Sequence, residues 1–269
     1  MSGQPAQRRR SVVLITGASG GIGAELARVF ACHGHDLALV ARNGAQLETL
    51  AAEIERSGRP RPIVVALDLS DPTSGVHLSD TLEAQDASVN MLVNNAGFGL
   101  VGPAHQLDPS EQLAMIDLNI RALTELTLRF LPQITTAKGR ILNVASVAGF
   151  LPGPGMAVYY ATKAFVVSYS EALWAELAET GVTISVLCPG VTRTNFQARA
   201  GVNASLLKAM PGMSAMAVAE AGYKGLMAGR RRIIPGFGNK LMVGLTPLLP
   251  NAVLLPIVAR IQARRVATR

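Results

Sequence analysis

Short β-branched runs alternate with amphipathic segments over the first 235 positions. Val12–Ile15 reads as a strand, and residues 21–33 follow as a helix with Ile22, Leu26, Val29 and Phe30 on one face and Gly34 as its stop. Leu37–Val40 predicts a second strand, after which Leu47, Leu50 and Ile54 recur at helical spacing. Two further strands, at 63–67 and 91–93, flank a less regular helix near 75–86. Asp108-Pro109-Ser110-Glu111 offers an N-cap, a proline at the first helical position and a carboxylate at the third; it opens a long helix through Ile116, Ile120, Leu123 and Phe130. A fifth strand at 140–144, a helix over 158–179 stopped by Gly181, and a sixth strand at 183–187 follow. Ser214 caps a helix to Ala228, and 232–234 is a seventh strand.

Such alternation predicts an α/β fold. Right-handed crossovers join about seven strands into a doubly wound parallel sheet with helices on both faces. Ligands of such sheets bind beyond the carboxyl ends of the strands, where the strand order reverses. The loops after the strands are therefore where chemistry is sought.

Composition narrows the class. The chain has 269 residues, 49% apolar and only 16% charged, which fits one domain with a large core and excludes a disordered chain. Cys32 and Cys188 cannot make a disulfide framework, and with four scattered histidines they show no metal-ligand spacing; both cysteines are expected as small reduced core residues. The net charge of +7 is confined to the ends. Residues 1–10 hold three arginines, residues 221–269 hold nine basic residues and no acid, and the body between them has 13 basic against 18 acidic residues. With no basic, aromatic-interleaved stripe in that body, nucleic acid is not expected as a partner. The apolar stretch after Arg8-Arg9-Arg10 ends at Gly17, too short for a secretory segment, so residues 1–10 read as a solvated basic tail of a cytoplasmic protein.

The strand ends carry the candidate chemistry. After strand one comes Thr16-Gly17-Ala18-Ser19-Gly20-Gly21-Ile22-Gly23, a G-x-x-x-G-x-G loop between strand and helix. Glycines let backbone approach a pyrophosphate, and the helix N-terminus offers free N–H groups. A glycine-rich turn that merely packs helix on strand is the plainer alternative. Strand two ends at Val40-Ala41-Arg42-Asn43 with no carboxylate to hold a ribose 2′-hydroxyl, whereas Arg42, with Ser19, can pair with a 2′-phosphate. NADP(H) is the expected cofactor. Asp36 precedes strand two and so faces the wrong end of the sheet. Asp68-Leu69 can approach an adenine ring, and Asn94-Asn95-Ala96-Gly97 permits close contact with a ribose.

Over residues 11–235 the sequence resembles the short-chain dehydrogenase/reductase family: the Thr-Gly-x-x-x-Gly-x-Gly loop, the Asn-Asn-Ala-Gly run and a Tyr-x-x-x-Lys pair occur in the family's order. The resemblance implies a Rossmann-like single domain over 11–236, with a substrate lid about 195–213 and residues 237–269 as an apolar and basic extension. Ser146 stands thirteen residues before Tyr159, and Tyr159 and Lys163 are four apart on one helix face. Ser146 can donate to a carbonyl oxygen while Tyr159 supplies its proton, an adjacent ammonium lowering the tyrosine's pKa. Tyr160 competes on residues alone; the family spacing selects Tyr159. The resemblance further assigns Lys163 to the nicotinamide ribose, Asn119 to holding the lysine and a water chain, and Pro189, Gly190, Thr192 and Thr194 to the nicotinamide amide.

The implied activity is NADPH-dependent interconversion of an apolar ketone or aldehyde and its alcohol, of acyl-chain or steroid-like size. The helices at 109–131 and 158–179 are the family's usual dimer faces, so a homodimer or homotetramer is expected. A non-catalytic NADP(H) sensor, or a membrane-surface scaffold, is the alternative. Leu241 to Ala259 has no charge, Pro247, Pro250 and Pro256 argue against a span, and Arg260, Arg264, Arg265 and Arg269 follow. Residues 240–269 therefore either sit peripherally on anionic membrane or pack over the sheet edge, the pocket or a dimer face.

Overall fold

The computed structural model describes residues 9–194, 196, 200 and 212–266. Its strands are β1 (Arg10–Thr16), β2 (Leu37–Ala41), β3 (Ile63–Ala66), β4 (Ala87–Asn94), β5 (Arg140–Val144), β6 (Thr183–Leu187), β7 (Thr192–Arg193), β8 (Met213–Ser214) and β9 (Arg232–Ile233). Seven of them form one parallel sheet in the order β3-β2-β1-β4-β5-β6-β9, while β7 and β8 pair separately. The helices are α1 (Gly21–Cys32), α2 (Gly44–Arg56), α3 (Ser74–Ala84), α4 (Pro109–Ile116), α5 (Leu123–Thr136), α6 (Ala157–Glu176), α7 (Ala215–Met227), α8 (Phe237–Leu245) and α9 (Asn251–Val266).

Both faces of the sheet are covered, which is why its strands read as continuous apolar runs. On one face Ile15, Leu39 and Leu187 pack under Leu26, Phe30, Leu47 and Val218 from α1, α2 and α7. On the other, Leu14, Val40 and Ile184 meet Leu78, Phe130, Ile134 and Leu173 from α3, α5 and α6. Phe30 and Phe130 are fully buried, so truncating either to alanine costs about 3–5 kcal/mol.

The chain runs outward from β1 to β3, then returns to β4 beside β1. That reversal opens a crevice at the carboxyl ends of β1 and β4, the switch point of a doubly wound sheet. Capping follows the sequence reading. Asp108 accepts from the N–H groups of Ser110 and Glu111, Ser214 accepts from that of Ala217, and Gly34 and Gly181 take positive φ after their helices.

Several elements differ from expectation. β1 begins at Arg10, whose guanidinium pairs with Asp36 at 2.8 Å across the amino-terminal edge of the sheet. The expected long helix from Asp108 is divided: a π turn, Asp117–Ala122, separates α4 from α5 and turns Asn119 inward. Cys188 is buried as expected, but Cys32 is exposed, because it closes α1 on its solvent side. The prolines divide the C-terminal segment only in part: Pro247 and Pro250 fall in or beside the turn between α8 and α9, while Pro256 sits inside α9. Most of the expected lid, with Leu206, Leu207 and Met210, and most of the basic tail lie outside the described residues.

Candidate active site

At the switch point the loop after β1 is locked to the loop after β4. Thr16 Oγ1 accepts from the backbone N–H groups of Asn95 and Ala96, both at 3.0 Å, and Asn95 Nδ2 donates to Thr16 O at 2.9 Å and Gly17 O at 3.2 Å. Gly17 and Gly21 have φ of +66° and +56°, a region open to glycine at little cost. A methyl group at Gly23 would lie 2.2 Å from Gly17 O, so this glycine seats α1 against the loop. Gly20 has open space before it, and no side chain caps the first N–H groups of α1. Those groups and the helix dipole are the elements of an anion site.

A cavity of about 880 Å³ runs along the carboxyl edge of the sheet. One stretch is walled by Gly17, Ser19, Gly20, Gly21 and Ile22 with Arg42, Asp68 and Leu69; Asn95, Ala96 and Gly97 line its middle; Ser146, Tyr159, Lys163, Pro189, Gly190, Thr192 and Thr194 complete it. Three sequence-predicted residues are not on its wall. Gly23 lies behind the loop as described. Asn94, 3% exposed, turns its amide to Thr127 Oγ1 and Asn143 Oδ1, both at 2.9 Å, and so links β4 to α5 and β5. Asn119 is the third.

Asn119 holds the backbone of Phe98 from both sides. Its Oδ1 accepts from Phe98 N at 3.1 Å, while its Nδ2 donates to Phe98 O and to Thr162 Oγ1, both at 3.0 Å. Thr162 in turn donates to Tyr159 O at 2.7 Å. The π turn thus fixes both the loop after β4 and the helix turn that carries Tyr159. Lys163 Nζ itself donates to Val144 O at 2.9 Å.

Tyr159 and Lys163 share one face of α6 and both are buried. Ser146 leaves β5 as the cap of a short 3-10 turn, accepting from Ala148 N at 3.1 Å. Burial pushes the Tyr159 hydroxyl up to about 12, against the opposing hydrogen bond with the Ser146 side chain. This corrects the expectation of a lowered tyrosine. Lys163 sits 5.9 Å from the Tyr159 ring centre with its ammonium turned to Val144 O. The same desolvation pulls Lys163 down to about 8.

The model of the short chain dehydrogenase family matches residues 11–204. Sulfoacetaldehyde reductase 2 of Chromohalobacter salexigens is 40% identical over 188 residues, 69% of this chain and 74% of that protein. Among solved structures, a short-chain dehydrogenase from Sphingobium yanoikuyae in complex with NADPH aligns with a TM-score of 0.77 at 33% identity, covering 90% of this chain and 97% of the other. The bulky-bulky ketone specific alcohol dehydrogenase from Comamonas testosteroni aligns with 0.73 at 28% identity, over 91% and 97%. The chain belongs to the short-chain dehydrogenase family. It is an oxidoreductase of alcohol and carbonyl groups with a Rossmann-like fold.

In this dehydrogenase Arg42 stands at the end of β2 with Nη1 3.7 Å from Asp68 Oδ2, both groups half exposed on the cavity rim. Asn43 beside it caps α2 by accepting from Gln46 N. Covering the pocket was one of the sequence readings of residues 240–269, but the residues of this far wall were not singled out. Asn239, Met242 and Thr246 from α8 and its following turn, and Leu254, Val258 and Gln262 from α9, line the same cavity. Asn239 packs against Gly190, where a methyl group would lie 2.5 Å from its Oδ1, and it donates to Pro235 O at 2.7 Å. Gln262, 2% exposed, donates to Tyr160 Oη at 2.6 Å. The signal available in sequence was the isolation of these polar residues within and beside a long uncharged segment.

Proposed function

We propose that the protein is an NADPH-dependent carbonyl reductase that interconverts an apolar ketone or aldehyde with its alcohol, with Tyr159 as acid and base. The observation that carries this reading is one cavity holding Ser146, Tyr159 and Lys163 and, on its rim, the cation Arg42. The glycine loop and cavity fit a dinucleotide: the loop closes on Asn95, leaves Gly20 open and presents uncapped N–H groups.

Gly17, Ser19, Gly20, Gly21 and Ile22 hold the pyrophosphate, with Gly23 behind them. Arg42 meets the 2′-phosphate, Asp68 and Leu69 the adenine, and Asn95, Ala96 and Gly97 the ribose, Asn94 supporting their strand. Lys163 holds the nicotinamide ribose, and Pro189, Gly190, Thr192 and Thr194 orient the amide. Bound there, the nicotinamide supplies or accepts the hydride. Ser146 donates to the carbonyl oxygen and stabilises the charge that grows on it, while Tyr159 delivers the proton. A charged Lys163 near the ring favours the tyrosinate left behind, and Asn119 keeps the helix turn in register. Serine, tyrosine and lysine are all present, which favours a catalyst over an NADP(H) sensor.

The wall from α8 and α9, with Met242, Leu254, Ile257, Val258 and Ile261, suits an apolar acyl-chain or steroid-like substrate. The partners we infer are a small apolar carbonyl or alcohol, a second copy against α4 to α6, where Leu113, Leu128, Phe165 and Trp174 are exposed, and a membrane surface against residues 240–269. The site of action is cytoplasmic. A screen of NADPH oxidation over ketones of graded length and shape, with NADH as control, tests the reading. Turnover of apolar ketones with NADPH and little with NADH is expected; inactivity toward every carbonyl contradicts it.

A further inference from the structure

Among the described residues, the exposed large apolar side chains are concentrated in α8, α9 and the turn between them. Of seventeen exposed large apolar side chains among the described residues, ten lie between Phe237 and Ile261. Phe237 is 82% exposed and Leu248 75%. Exposed apolar side chains clustered on one segment mark an interaction surface more often than scattered ones do. Three of the ten, Met242, Ile257 and Ile261, also line the cavity, so patch and cavity share a wall.

We propose that the α8–α9 face lies on an anionic lipid bilayer and that the cavity opens through it, admitting a carbonyl substrate already dissolved in the lipid. This deepens the carbonyl-reductase reading and rests on it. The charge pattern selects the occupant. No acidic residue follows Glu220; Lys240 and Arg260 are exposed on the two helices, and Arg264, Arg265 and Arg269 follow. Phosphate headgroups match a segment of that charge. A second copy docked on the same face about a two-fold axis brings an equally acid-free segment against it, so like charges meet. Geometry sets the mode. No helix among the described residues is long and apolar enough to cross a membrane, and α9, at 16 residues, lies in the interface plane.

The test uses the full-length protein with phosphatidylcholine vesicles made with and without phosphatidylglycerol. The wild type is expected to sediment with the phosphatidylglycerol vesicles at low salt and to be released at high salt. Phe237→Glu with Leu248→Glu, neither residue on the cavity wall, is expected to stay in solution. That variant is expected to keep its particle mass by light scattering and its turnover of a short water-soluble ketone. With a long-chain ketone carried in the vesicles, its kcat/KM is expected to fall at least tenfold. Equal sedimentation with both vesicle types, or with neither, overturns the proposal. So does a change of particle mass in the variant, which makes the face a protein interface. An equal fall on both ketones overturns the lipid entry route. Absence of ketone turnover in a wild type that still sediments refutes the carbonyl-reductase reading instead.

Discussion

Gln262 Nε2 donates to Tyr160 Oη at 2.6 Å, so the last helix is tied to the residue beside Tyr159. The other amide atom, Gln262 Oε1, is buried without a partner among the described residues. The two ends of this bond therefore differ in what their removal does. Tyr160→Phe leaves a buried amide with neither atom paired and is expected to cost about 1–3 kcal/mol. Gln262→Met removes the bond and the orphaned oxygen together, and a change below about 1 kcal/mol is expected. Urea unfolding of both variants checks the order; equal losses mean that the bond does not tie α9 down.

Arg42 bears on cofactor choice. Arg42→Ala is expected to weaken NADPH binding by about 1.5–3 kcal/mol, roughly ten- to a hundredfold, and to leave NADH nearly unaffected. Ala41→Asp added to it is expected to erase or reverse the preference. Fluorescence titration of both nucleotides reads this directly, and equal affinity of the unmodified protein for the two contradicts the role given to Arg42.

Lys163 sets a pH dependence. Burial lowers its pKa to about 8, so the ammonium is present below that pH and lost above it, while Tyr159, near 12, stays protonated throughout. Carbonyl reduction is expected to fall as pH rises through about 8. For stability the sign is the reverse. The unfolded chain, with its lysine near 10.5, binds more protons between about 8 and 10.5, so stability from this group rises with pH across that window. A kcat/KM profile flat to pH 10 contradicts the assignment.

Asn119 is predicted to act through position. Asn119→Ala removes the two hydrogen bonds to the Phe98 backbone and the one to Thr162 Oγ1, so a loss of about 1–3 kcal/mol is expected. A fall in kcat with NADPH affinity retained is expected alongside. Unchanged kcat at reduced stability makes its role purely structural.

The sheet was legible because its strands are short apolar runs at βα spacing, with capping residues such as Asp108 and Ser214 marking the helices between them. The glycine loop and the Tyr159–Lys163 spacing are local patterns, and the structure brings them to one cavity. What sequence did not show depends on distant packing. Asn94 and Asn95 are neighbours of one type, yet strand alternation turns Asn94 to Thr127 and Asn143 while Asn95 bonds the glycine loop. The π turn has no distinct periodicity, because a single extra residue per turn is absorbed within an otherwise helical pattern. Lys163's preference for Val144 O over closer approach to Tyr159 is likewise a tertiary matter. The C-terminal helices read as a membrane candidate or a cover for the pocket; the structure puts Val258 and Gln262 on the cavity wall and leaves Phe237 and Leu248 in solvent, so one segment has both faces.

The central claim is that Tyr159 carries the proton. Tyr159→Phe keeps the ring and removes the acid, so NADPH-dependent ketone reduction is expected to fall by about three orders of magnitude or more, the upper range of general acid catalysis, with NADPH affinity unchanged. Tyr160→Phe, measured beside it, is expected to retain most of its turnover. Near-normal reduction by Tyr159→Phe, or an inactive Tyr160→Phe that still folds and binds NADPH, contradicts the account.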